Sequence, residues 1–99
     1  MSLRVLVLII ALGGAAAAGA QEASQVRLIA ANCANCHGTD GRSQGGMPAL
    51  NGLSKVYIVL QMQDFKSGKR AATIMHQLSK GYTDAEIDAV ATFFSALKN

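Results

Sequence analysis

The chain has 99 residues, a net charge of +3 and no tryptophan, which bounds it to one small domain. Its positive charges are scattered and no basic stripe with interleaved aromatics occurs, so a nucleic-acid surface is excluded and the charges read as a solvated exterior. Below about 70–80 residues a single core rarely supplies more than ~3–5 kcal/mol, so a domain of this size needs a staple or a large buried group.

The first stretch carries Arg4, an apolar run from Val5 to Leu12, and the small-residue site Ala18-Gly19-Ala20. That order predicts a secretory signal peptide over residues 1–20, cleaved before Gln21. A lasting membrane helix needs ~20 strongly apolar residues, whereas this run fades into Gly and Ala after Leu12. No cysteine follows the cleavage point, so neither a lipid anchor nor a stable membrane anchor is expected. Residues 21–99 then form the folded domain, and its compartment is the periplasm.

Four helical pieces follow, and no β-branched alternation is sustained, so the fold class is all-α. The first piece runs from about Ala23 to Asn32, with Val26, Ile29, Ala30 and Cys33 at helical spacing. A glycine-rich loop over Gly38 to Gly52 holds the one proline, Pro48. Ser54 reads as an N-cap for a helix over Val56 to Lys66, stopped by Gly68, with Ile58, Met62 and Phe65 on one face. A shorter helix spans roughly Ala72 to Lys80. Thr83-Asp84-Ala85-Glu86 is a capping box. It opens a helix whose Ile87, Val90, Ala91, Phe94 and Leu97 make one stripe to be buried. The first and last helices are rich in small residues and are expected to pack together.

Between the first helix and the loop lies Cys33-Ala34-Asn35-Cys36-His37, the C-x-x-C-H pattern of haem attachment. Two thiols at this spacing reach the two vinyl groups of one haem as thioethers, and the adjacent imidazole reaches the iron. A thioredoxin-type redox pair would want a βαβ context, and no strands are evident here. A structural zinc site wants four closed ligands. Cys33, Cys36, His37 and His76 supply that number, but Cys36 and His37 are neighbours and crowd a tetrahedron. A plain Cys33–Cys36 disulfide is open to an exported chain, yet it closes a tiny loop and stabilises little. Export, a deficient core and the motif agree on one covalently attached haem c.

A second iron ligand is expected from Met47, Met62, Met75 or His76. Met47 lies ten residues past His37, in a loop that stays on the His37 side, and Met62 sits on an apolar helix face. Met75 and its neighbour His76 come far enough along the chain to approach from the opposite face.

The whole mature chain resembles the small class I c-type cytochromes. Tyr57-x-x-x-Gln61-Met62-x-x-Phe65-x-x-Gly68-x-Arg70 resembles the Y-x-x-x-Q-L-x-x-F-x-x-G-x-R stretch of their monohaem bacterial members, with Met62 where the family has a core leucine. Thr73-Ile74-Met75, followed by Lys80-Gly81-Tyr82-Thr83-Asp84, resembles the axial-methionine segment of the cytochrome subunits of flavocytochrome c sulfide dehydrogenases. The resemblance implies about four helices and the glycine-rich loop wrapped around one haem, with Met75 rather than His76 on the iron opposite His37. It also implies a Pro48 carbonyl partner for the His37 ring, Phe93 at the helix crossing, and Tyr57 and Arg70 near the haem propionates.

Function follows as an expectation: a carrier of single electrons between redox partners, not an enzyme. The alternative is the haem subunit of a sulfide-oxidising flavoprotein complex. A haem sensor or enzyme is the third reading and would need a labile Met75. Lys55, Lys66, Lys69, Arg70 and Lys80 are expected to ring the haem edge and steer an acidic partner.

Overall fold

The computed structural model describes residues 22–98, so the export segment expected over 1–20 lies outside them. The described residues are helical, with no strand, in four α-helices and one short 3₁₀ turn. Helix α1 covers residues 22–37, followed by the 3₁₀ turn Thr39–Gly41. Helices α2 (Lys55–Ser67), α3 (Met75–Lys80) and α4 (Asp84–Ser95) complete the chain. None of them is long and apolar enough to cross a membrane.

Two boundaries correct the sequence reading. The first helix was expected to stop at Asn32 but continues through the cysteine motif to His37. Nothing in Cys-Ala-Asn-Cys-His breaks a helix, and the stop comes at Gly38, with φ 89°. The third helix was expected from Ala72 but starts at Met75. Arg70 N donates to Asp64 O at 3.1 Å and the Arg70 guanidinium lies 4.7 Å over the Phe65 ring. These contacts turn the chain back on α2 before a helix can begin.

The other ends follow their caps. The Ser54 side chain accepts from Tyr57 N at the start of α2, and α2 ends at Gly68. Thr83 and Glu86 make the reciprocal capping box of α4, at 2.9 and 3.1 Å. Ile29 and Ala30 of α1 share one core with Ile58 of α2 and with Val90, Ala91 and Phe94 of α4. The expected packing of first against last helix is therefore present. Phe93 is half-buried against this core and meets Phe94 edge-on, at 5.3 Å between ring centroids.

The loop after α1 is tied to the end of α4. Gly52 N donates to Phe94 O at 2.9 Å, while Arg42 Nη2 and Asn51 Nδ2 both donate to Lys98 O. These bonds fix the path that carries Pro48. Gly38 sets the angle at which the loop leaves α1. A Cβ there would lie 2.4 Å from Arg42 O, at a φ that side chains rarely adopt. Gly38→Ala is expected to cost on the order of 3 kcal/mol. The check is a lower urea midpoint for the purified protein at unchanged slope.

Candidate functional site

The C-terminal turn of α1 presents both thiols and the imidazole from one short stretch. Cys33 is half-buried against the core and Cys36 is exposed, and both are free thiols. Burial pushes the Cys33 thiol up, against a smaller backbone hydrogen bond that lowers it. On a helix, residues three apart lie on the same side, so the two sulfurs share one side of the α1 terminus.

His37 is buried, and its Nδ1 donates to Pro48 O at 2.6 Å. That bond fixes the ring's tautomer and orientation and leaves Nε2 as the free donor atom. The structure thus brings Cys33, Cys36, His37 and Pro48 together. A cleft of about 430 Å³ opens alongside, and Cys36 and Met47 both line it. Met47 therefore stays with the attachment segment, on the His37 side.

The remaining candidates separate by what they touch. Met62 is packed against the core, and its sulfur accepts from Ser79 Oγ at 3.6 Å. His76 and Lys80, one turn apart on α3, line a second cleft of about 270 Å³ with Phe65, Gly68, Arg70, Ala71 and Ala72. His76 Nδ1 is buried there, with no hydrogen-bond partner among the described residues. Met75 lines neither cleft. It is half-buried at the start of α3, between the exposed Ile74 (51%) and Leu78 (43%). Among the methionines of the described residues, Met75 is thus the one that neither packs against the core nor lines a cleft.

The donor set suits a haem c: two same-side thiols, an imidazole with only Nε2 free, and a further sulfur at Met75, while Tyr57, Ile74 and Leu78 are apolar side chains left exposed by the protein. Among the described residues no three His, Cys, Asp or Glu side chains are placed to hold one metal ion between them, Cys33, Cys36 and His37 included.

Tyr57 is half exposed, while Arg70, besides stacking on Phe65, donates through Nη1 to Gln61 Oε1. Of the five cations expected to ring an edge, Lys55 pairs with Asp88 at 3.1 Å. Lys66 lies 3.6 Å from Asp84 and donates to Tyr82 O at 2.7 Å. These two ion pairs link α2 to α4. A side-chain bond from Gln63, and then Lys66, hold the Asp84 carboxyl below its ordinary range. Sequence reasoning missed Gln61 as an anchor of Arg70 and Ser79 as a buried polar residue. Ser79 stands one turn after Met75, which is the signal that could have found it.

The Cytochrome c family model matches residues 20–98. The chain is 42% identical over 74 residues to the cytochrome subunit of sulfide dehydrogenase from Chlorobaculum tepidum, covering 75% of this chain and 67% of that protein. It is 36% identical over 92 residues to cytochrome c-553 of Helicobacter pylori, covering 91% and 96%. Among solved structures, the cytochrome c4 of Acidithiobacillus ferrooxidans aligns with a TM-score of 0.63 at 40% identity, over 66% of this chain and 38% of that one. The chain therefore spans well under half the length of that cytochrome c4.

Proposed function

Because the chain belongs to the cytochrome c family, whose cofactor is covalently bound haem c, we propose that it is a periplasmic carrier of single electrons with one haem joined by thioethers to Cys33 and Cys36 and iron ligated by His37 and Met75. The observation that carries this reading is the His37 ring, pinned through Nδ1 by Pro48 O beside two same-side thiols. The order of Arg4, the apolar run Val5 to Leu12 and Ala18-Gly19-Ala20, which reads as an export segment, supports the periplasm as its compartment. When bound, the haem supplies a one-electron couple.

The chain's own residues do the rest. Pro48 holds His37 in one orientation. The α3 start presents Met75, next to Ile74 and one turn before Leu78, both exposed apolar side chains. With His37 and Met75 both engaged, no position is left for a substrate, which separates a carrier from a haem enzyme or sensor. Met75 and His37 together on the iron would raise the potential of the haem they hold, which would suit acceptance of electrons from low-potential donors. Lys69 and Lys80 remain as exposed cations for an acidic redox partner.

A second reading has a specific observation in its favour. The relative from Chlorobaculum tepidum is a cytochrome subunit of a sulfide dehydrogenase, and Thr73 to Asp84 resembles the axial-methionine segment of such subunits. In that role a flavoprotein takes electron pairs from sulfide and two molecules of this cytochrome collect one electron each. Mixing the purified cytochrome with the host's flavoprotein and sulfide, and following haem reduction, separates the readings. Reduction much faster than with sulfide alone supports the complex, and equal rates leave the free carrier.

A further inference from the structure

We infer that Ser79 is the positioning residue for the distal ligand: its hydroxyl, donating to the Met62 thioether, sets the rotation of α3 that presents Met75 and keeps the competing Met62 sulfur engaged. The inference rests on Met75 as iron ligand and adds what holds it there.

Helix α3 has six residues, and its N-cap Ile74 supplies no side-chain hydrogen bond. So short a helix does not stand alone and takes its orientation from packing. Ser79 is 0% exposed, the one buried residue of α3, and its Oγ donates to Met62 Sδ on α2 at 3.6 Å. Four residues separate it from Met75, so the two side chains lie one turn apart on neighbouring azimuths. Fixing Ser79 against α2 therefore fixes the direction of Met75. A buried hydroxyl has to find an acceptor, and a thioether is a weak one. Met62 stands where the resembled family has leucine, which has no acceptor, so this bond belongs to the pairing of Met62 with Ser79 in this chain. The same bond engages a lone pair of the Met62 sulfur, a soft donor of the kind iron accepts.

Imidazole binding to the oxidised holoprotein reads the effect. Imidazole nitrogen replaces the methionine sulfur on the iron only when Met75 has swung away, so its apparent affinity reports the open population. Ser79→Ala is expected to raise imidazole affinity about fivefold, the loss of one net hydrogen bond. The far-red sulfur-to-iron band without imidazole, and the far-UV helix signal, stay unchanged. Met62→Leu is expected to raise affinity at least as much, because it leaves the Ser79 hydroxyl buried and unpaired. The Ser79→Ala/Met62→Leu double variant shows about the effect of Ser79→Ala alone and not the sum of the two, since the single bond is lost once and no buried hydroxyl is left unpaired. Wild-type affinity in Ser79→Ala, or strictly additive effects in the double variant, overturns the inference alone. A sulfur-to-iron band that survives Met75→Ala overturns the ligand reading and the inference with it.

Discussion

In Met75→Ala the weak far-red sulfur-to-iron absorption of the oxidised protein disappears and the midpoint potential falls, while Met62→Leu retains the band. The argument is one of competing sulfurs. Met62 is committed to the core and accepts the Ser79 hydroxyl, so its replacement removes packing and one weak bond but no metal ligand. Met47 lines the cleft beside Cys36 and shares the side of His37. Met75 is flanked by Ile74 and Leu78, both left half uncovered by protein. Its loss opens a coordination position to water or to a nitrogen donor. Axial ligands set haem potentials over a range of ~0.8 V, and exchanging a thioether for water moves the potential down that range. His76 does not substitute, because its side chain belongs to the cleft with Arg70 and Lys80. A band lost in Met62→Leu and kept in Met75→Ala would reverse the assignment.

The Cys33→Ser/Cys36→Ser double variant is expected to be unfolded at room temperature, seen as collapse of the far-UV helix signal in exported protein. Among the described residues the buried hydrophobic side chains are Ile29, Ala30, Ile58, Ile87, Val90, Ala91 and Phe94. Two of those are alanines, and the one buried aromatic is Phe94. A core of this size supplies no more than ~3–5 kcal/mol by itself, against conformational entropy of about 1–2 kcal/mol for each ordered residue. Tyr57, Ile74 and Leu78 are half exposed and add little to that core. Covalent attachment makes the haem a permanent part of the core, so removing both thiols removes that part from every molecule that fails to retain it. A double variant with wild-type helix content and wild-type melting temperature would show that the polypeptide core suffices.

The parts of this fold legible in the sequence are those written in local signals. Helix α4 was readable because its capping box and apolar stripe lie close together, and Ile87, Val90, Ala91 and Phe94 are buried as expected, while Leu97 lies past the helix end at Ser95 and is half-buried. Helix α2 was readable to within a residue at each end from Ser54 and Gly68. The start of α3 was not, because Ala71 and Ala72 favour helix while the contacts of Arg70 with Asp64 and Phe65 override them. The end of α1 was misread because the cysteine motif was treated as a boundary, whereas the backbone breaks only at Gly38.

The site divides the same way. Cys33, Cys36 and His37 were legible because their chemistry needs a fixed local spacing. The engagement of Lys55 with Asp88 was not, since those residues are far apart in sequence and meet only when α2 packs on α4. The spacing of Ser79 from Met75 was legible, but its burial was not, for a similar reason. A serine in a short helix reads as surface, and only the position of Met62 across the interface shows that it is buried.

Extraction of the purified wild-type protein with acidified acetone tests the central claim most directly. The solvent strips haem held only by its iron ligands, whereas thioethers to Cys33 and Cys36 survive it. The account predicts that the haem stays with the polypeptide and that the solvent remains colourless. Haem leaving with the acetone would contradict it.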